Sequence, residues 1–213
     1  MKIQYSKYLY WLVLLLSSMN CQAQQEDFEA KQKEIGGLCQ GCEAIYEYGD
    51  RVLTTIDTLP LFETSHPKIK ISGIVYQNDG KTPAQDVILY IYHTNRAGIY
   101  EKKGNEVGWA KRHGFIRGWV KTNETGHYTF FTFRPASYPD RDIAEHIHIT
   151  VKEPNKNEYY LDDFVFDDDP LLTKAERGKL KNRGGSGIVN PVWKDGIWEF
   201  HRNIILSLNI PDY

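Results

Sequence analysis

The chain is poor in cysteine, with three in 213 residues. That is too few for a disulfide-built scaffold, and no second Cys pair exists to complete a zinc site of the finger type. It lacks an excess of either charge: 26 Lys and Arg stand against 28 Asp and Glu. Without a basic stripe to neutralise phosphates, nucleic acid is excluded as the expected partner. The apolar run Tyr8–Leu16 falls far short of the roughly 20 residues that span a bilayer as a helix. Internal repeats and low-complexity tracts are absent. With 41% hydrophobic and 25% charged residues, disorder and a polytopic membrane protein are excluded, and one buried core is expected. What the chain has in plenty is tyrosine, 14 against 9 Phe.

Residues 1–23 read as an address rather than as part of the fold. Lys2 and Lys7 precede the short apolar run, and Ser17-Ser18-Met19-Asn20 and Cys21-Gln22-Ala23 follow it. This is the pattern of a secretory signal peptide with small residues before the cleavage point. Lipidation at Cys21 is the alternative. Cleavage removes two lysines and no acid, taking the formal charge from −2 to −4. The expected location is therefore periplasmic or secreted, or anchored by lipid at Cys21. Residues 24–66 then form an N-terminal segment, and 67–213 the main body. Within the segment, Cys39 and Cys42 sit in Gly36-Gly37-Leu38-Cys39-Gln40-Gly41-Cys42. C-x-x-C can be a redox pair, half a metal site or a structural disulfide. No βαβ context surrounds it, so a structural disulfide closing a Gly-rich loop is expected.

After Pro67 the chain becomes a series of short β-type runs. Lys68–Gln77 alternates around Ile69, Ile71 and Val75, and Asn78-Asp79-Gly80 marks a turn. Asp86–His93 is a continuous β-branched and aromatic run, as for a strand buried on both faces. Further runs cover 115–121, 127–133, 144–152 and 159–166, with Asn123-Glu124-Thr125-Gly126 as a turn between two of them. Short turns without intervening helical periodicity predict an all-β fold, an antiparallel β-sandwich with short peripheral helices. Helix is expected only over Asp27–Glu34 and Lys174–Asn182. Gly184-Gly185-Ser186-Gly187 reads as a flexible loop, and Trp193–Leu208 as a final strand pair or edge element.

One constellation carries chemistry. In Glu145-His146-Ile147-His148-Ile149-Thr150-Val151 the period of two puts both imidazoles on one face and Ile147, Ile149 and Val151 on the other. Two histidines on a rigid strand form half a metal site, or simply a half-exposed strand pair. Tyr138, before Pro139, stands in the loop that leads into this strand. Tyr100 follows a Gly98 turn at the end of the buried strand. Phenolate is a hard anionic donor, so two tyrosines with two imidazoles suit iron(III) better than zinc. A phenol of pKa near ~10 stays ionised at neutral pH only beside a strong Lewis acid. Either tyrosine taken singly is equally consistent with ordinary packing.

Over roughly Ile69–Leu171 these blocks together resemble the intradiol ring-cleavage dioxygenases, the catechol and protocatechuate dioxygenases. Gly73-Ile74-Val75 opens the match, and Asp86–Tyr100 looks like the family's strand ending in Gly-Arg-Tyr. Phe115-Ile116-Arg117-Gly118 and Thr122–Phe130 resemble its Arg-Gly and Gly-x-Tyr-x-Phe blocks. Arg134-Pro135-Ala136-Ser137-Tyr138-Pro139 resembles Pro-Gly-Pro-Tyr-Pro, Ala144-Glu145-His146-Ile147-His148 resembles Pro-Ala-His-Ile-His, and Phe164–Leu171 the closing Tyr-Phe-x-Gly-Asp-Pro. The order and spacing of the set are specific, and no single block is.

The resemblance implies an exported non-haem Fe(3+) dioxygenase of a catechol-type aromatic diol. Tyr100, Tyr138, His146 and His148 would be its ligands, with Tyr138 and His148 axial and Tyr100 and His146 equatorial. It implies that Tyr138 leaves the metal as the diol binds and takes up a proton, which makes Tyr138 the catalytic residue. The partners implied are the diol and O2, with no transmembrane span in the mature form and homo-oligomerisation left open. Two other readings stand beside it: a non-catalytic exported β-sandwich binding module, and a zinc enzyme using His146 and His148 alone. Two departures bear on the substrate. Ile143 stands where the family commonly has an arginine, with Arg141 and Arg134 as candidates to replace it, and the Tyr138–His146 gap is shorter than usual. His93 is expected to pack or to support the ligands, while His66, His113, His127 and His201 are expected to face solvent.

Overall fold

A computed structural model of the chain describes residues 34–213, so the expected signal peptide, Cys21 and nearly all of the helix expected over Asp27–Glu34 lie outside the described residues. The strands run in chain order as β1 (Ile56–Thr58), β2 (Lys68–Tyr76), β3 (Ile88–Tyr92), β4 (Arg117–Lys121), β5 (His127–Phe133) and β6 (His146–Lys152). They continue as β7 (Tyr159–Tyr160), β8 (Phe164–Phe166), β9 (Ile188–Val189), β10 (Val192–Lys194), β11 (Ile197–His201) and β12 (Ile204–Ile205). One six-stranded sheet has the order β1-β5-β2-β11-β10, with β12 also on β2. The other has the order β4-β3-β6-β8-β9, with β7 also on β6.

The expected purely antiparallel sandwich is corrected in one respect: both sheets are mixed. β2 pairs antiparallel with β5, as do β3 and β6, but β1 with β5, β11 and β12 with β2, and β8 with β9 run parallel. Parallel neighbours need a long return path rather than a tight hairpin. β11 and β12 reach β2 only after most of the chain has been laid down, so no hairpin fixed their direction. The predicted run 159–166 is cut into β7 and β8 by Leu161-Asp162-Asp163. The expected helix Lys174–Asn182 is a single turn, Lys174–Arg177, capped by the Thr173 hydroxyl accepting from Glu176 N and ending at Gly178.

Period-two patterning divides the residues of the second sheet between two cores. Leu89, Ile91, Ile147, Ile149 and Val151 point inward and meet Ile69, Ile71, Val75 and Phe130 of the first sheet. Each such fully buried side chain contributes about 1.5–3 kcal/mol relative to exposure. The outward residues Tyr90 and Trp119 form a smaller cluster with Ala44 and Ile45. Those two come from a 3-10 turn, Cys42–Tyr46, that lies over the outer face. The N-terminal segment thus covers the face on which His146 and His148 stand.

Candidate metal centre

Tyr100 and Tyr138 sit on two loops that are stitched together before any ligand is considered. The Asn95 carboxamide oxygen accepts from Ala97 N and Ile99 N at 2.9 and 3.1 Å, forming a tight turn. Thr94 donates to Ala136 O at 2.7 Å, and the Arg96 guanidinium donates to Pro135 O at 2.7 Å. Gly98 makes the final approach. It has φ +73°, and a Cβ there would stand 2.0 Å from Ser137 O. Only glycine lets the two tyrosine loops meet this closely.

The four residues expected as ligands converge. The Tyr100 and Tyr138 hydroxyls are hydrogen-bonded to each other. The Tyr100 hydroxyl lies 2.7 Å from His148 Nε2, and the Tyr138 hydroxyl 3.3 Å from His146 Nε2 and 3.4 Å from His148 Nε2. The far side of each ring sets its tautomer. His146 Nδ1–H donates to Ala144 O at 2.7 Å, and His148 Nδ1–H donates to an Asp163 carboxylate oxygen at 3.1 Å. Both Nε2 lone pairs are therefore left facing the phenol oxygens, as metal ligation requires. Burial, with His148 nearby, holds the His146 imidazole below its ordinary pKa and keeps it neutral. Burial and the neighbouring Tyr138 push the Tyr100 phenol well up. Burial also raises Tyr138, against the hydrogen bond from Tyr100. Two reluctant phenols packed against the Nε2 atoms of two imidazoles fit a strongly Lewis-acidic cation, which would ionise the phenols.

Asp163 was not legible as part of the site. Among the described residues, His146, His148 and Asp163 form a His/Asp group compact enough for an ion, with donor atoms within 4.8 Å of one another. Asp163 meets His148 at Nδ1, on the opposite side of the ring from the tyrosines, and so orients that imidazole. Burial opposes its ionisation, but the His148 and His146 imidazoles hold its carboxyl below the ordinary range. Its backbone is clamped from below. Arg202 Nη1 donates to Asp162 O at 2.7 Å, and Gly187 passes where a Cβ would stand 2.2 Å from Asp163 O. The tract 184–187, expected as a flexible loop, is thus a packed turn whose first and last glycines are buried.

The remaining candidates sort by position. His113, expected at the surface, is buried; its ring stacks on Tyr92 at 3.8 Å, and Tyr92 stacks on His148 at 4.5 Å. A helical turn, Ala110–His113, tucks it under the N-terminal segment, a tertiary placement with no local signal. His66, His127 and His201 are exposed as expected. His93 is a packing residue, with Nδ1–H donating to Thr94 O and Nε2 accepting from Thr132, both at 2.7 Å. Of the two candidate arginines, Arg134 is held by Glu145 and Asp168, whereas Arg141 stands 5.9 Å over the Tyr138 ring. Cys39 and Cys42 form a disulfide, with their Cα atoms 5.6 Å apart. Among the described residues no helix is long and apolar enough to cross a membrane.

No protein-family model and no curated protein matches the chain by sequence. Several solved structures are similar to it. The dioxygenase domain of a dioxygenase carbohydrate-binding protein fusion from Streptomyces sp. SirexAA-E superposes with a TM-score of 0.55 at 22% identity, over 75% of this chain and 91% of that one. The 3-chlorocatechol 1,2-dioxygenase of Rhodococcus opacus 1CP has a TM-score of 0.55 at 16% identity, over 95% and 89%. An intradiol ring-cleavage dioxygenase from Tetranychus urticae has a TM-score of 0.51 at 19% identity, over 81% and 92%. The chain therefore has an intradiol ring-cleavage dioxygenase-like fold.

Proposed function

We propose that the chain is a non-haem iron(III) dioxygenase that opens the ring of a catechol-type aromatic diol between its two hydroxyl-bearing carbons. Tyr100, Tyr138, His146 and His148 would hold the ion. The observation that carries this reading is the meeting of two phenol oxygens with two imidazole Nε2 atoms whose opposite nitrogens are already engaged. When bound, the ion supplies Lewis acidity that keeps the phenols ionised and makes a chelated diol electron-rich toward O2. Both oxygen atoms of O2 end in the product, a muconate-type diacid, as the bond between the diol carbons breaks.

Tyr138 is the residue we assign to proton uptake. Its hydroxyl is held by both imidazoles only at 3.3–3.4 Å, whereas Tyr100 approaches His148 at 2.7 Å. Arg141 over its ring favours a phenolate ready to accept a diol proton at Oη. His148, steadied by Asp163 and stacked on Tyr92, has the least freedom to move and serves as the anchor. The leader at 1–23 supports an exported enzyme, periplasmic or secreted, or one anchored by lipid at Cys21.

Metal analysis and an absorption spectrum of the purified protein, before and after adding catechol, test this reading. A ferric-phenolate band in the visible that shifts on adding the diol is expected. A protein that stays colourless after reconstitution with ferric ion would overturn it. Tyr100→Phe and Tyr138→Phe are each expected to move or weaken the band, because each removes a phenolate donor. Were His146, His148 and Asp163 a zinc site, neither substitution would change the metal content.

A further inference from the structure

The N-terminal segment contributes none of the four candidate ligands, yet a continuous set of contacts joins it to His148. Tyr92 on β3 is the direct cross-strand partner of His148 on β6. Its ring stacks on the His148 imidazole at 4.5 Å and 25°, and on the His113 imidazole at 3.8 Å and 6°. His113 is itself fixed in orientation. Its Nδ1 shares a hydrogen bond of 2.8 Å with the buried Tyr90 hydroxyl, and its ring lies against Trp109. The N-terminal segment then grips the helical turn Ala110–His113 at two points. Gly41 has φ +93°, and a Cβ there would stand 2.8 Å from His113 Nε2 and 3.3 Å from the Trp109 ring. Glu47 accepts from Trp109 N at 2.7 Å and from Arg117 Nη1 at 2.6 Å, which ties the start of the turn to β4. Behind these contacts Cys42, Ala44 and Ile45 are buried, and the disulfide joins Cys39 to them.

The Asp163 hydrogen bond alone leaves the His148 ring underdetermined. It fixes where Nδ1 points but lets the ring tilt, because the terminal torsion of histidine has broad minima rather than sharp staggered wells. A flat ring stacked on the imidazole face removes that tilt, provided the flat ring is itself held. We propose that Tyr92 is a positioning residue of the metal centre that sets the plane of the His148 ring, and that the N-terminal segment holds Tyr92 in place through His113. The inference rests on the dioxygenase reading above and extends it to residues outside the ligand set.

The full-length, ferric-loaded protein is compared with Tyr92→Phe, Tyr92→Leu and Gly41→Ala. Three quantities are read: ferric affinity by competition with a chelator, the shape of the ferric electron paramagnetic resonance signal, and the urea midpoint. Tyr92→Phe keeps the ring and should leave affinity and signal as they are. Tyr92→Leu removes the stack and should weaken ferric binding by about two- to tenfold, the worth of one aromatic pair. It should also broaden the signal, as the plane of His148 spreads over several settings. Gly41→Ala touches no ligand but pushes on His113, and should broaden the signal in the same way with a smaller loss of affinity. If Tyr92→Leu fails to fold, as circular dichroism would show, Gly41→Ala decides. A lower urea midpoint in Tyr92→Leu with affinity and signal unchanged would overturn the positioning role and leave the dioxygenase reading intact. An equal loss of affinity in Tyr92→Phe would do the same, by assigning the effect to the hydroxyl rather than the ring. Absence of any ferric signal in the unsubstituted protein after reconstitution would overturn that reading and the positioning role with it.

Discussion

β6 carries two chemistries on one strand. Its odd residues, Ile147, Ile149 and Val151, are at 0–1% exposure between the sheets, while His146 and His148 stand half-buried on the outer face. The inner face meets a layer of aliphatic and aromatic side chains and holds the sandwich together. The outer face meets loops from distant parts of the chain: the Tyr100 turn, the Tyr138 loop, Asp163 and the N-terminal cover. A strand fixed so rigidly by one face can offer the other as a platform, with ligand positions set by the core rather than by the loops.

The sharpest way to break this division is to change neighbours on opposite faces. Ile147→Ala removes a side chain at 0% exposure and should cost about 2–5 kcal/mol of unfolding free energy, with the ferric band preserved. His148→Ala should stay within about 1 kcal/mol in stability and lose the band altogether. Urea unfolding monitored alongside the visible spectrum separates the two. Equal loss of stability in both variants would mean that the outer face also carries the fold.

Acid sharpens the comparison further. Burial pushes the His93 imidazole down from 6.5 to about 4, and its partners are Thr94 O, Thr132 and the edge of Phe133, with the His146 and His148 imidazoles adding like charge. His113 is pushed down to about 4 as well, also chiefly by burial. Above pH 6.5 both are neutral in folded and unfolded chains. Between 6.5 and about 4 only the unfolded chain takes up protons, so stability falls as pH falls, by about 3 kcal/mol for each, and levels off below 4. His93→Gln removes one of these two titrations and should visibly flatten the loss of stability over that range, measured by urea midpoints, without moving the ferric band. An unchanged pH profile would place the acid sensitivity elsewhere.

How much of this was legible in the sequence follows from which contacts are local. The facing of Ile147, Ile149 and Val151 against His146 and His148 could be read directly, because strand geometry fixes it within a few residues. Tyr100 and Tyr138 could be picked out by their loop positions but assigned as ligands only by resemblance, since their meeting depends on the Gly98 approach to Ser137 between segments some 40 positions apart. The parallel pairings of β11 and β12 were hidden for the same reason: strand direction across a long return has no local signature. His113 looked like a surface residue because its own stretch, Lys111-Arg112-His113, is polar, whereas the rings of Tyr90, Tyr92 and Trp109 and the backbone of Gly41 bury it. Asp163 was masked by its neighbour Asp162, which caps the backbone of Asn182 instead.

Asp163 is where the two faces touch, and it gives the smallest and most selective of these effects. Its carboxylate serves the outer face through His148 Nδ1, while its backbone is pinned by Gly187 and, through Asp162, by the buried Arg202. Asp163→Asn keeps size and one acceptor oxygen but removes the charge that favours the Nδ1–H tautomer. Supporting partners of metal-bound imidazoles typically carry 10–100-fold in metal affinity. The lower end is expected here, because Asp163 is a third exposed and water can replace part of the hydrogen bond. Stability should change by well under the cost of Ile147→Ala. Competition of the loaded protein against a ferric chelator measures the affinity. A hundredfold loss accompanied by unfolding would mean that Asp163 holds the fold, whereas about tenfold with the urea midpoint unmoved assigns it to the orientation of His148.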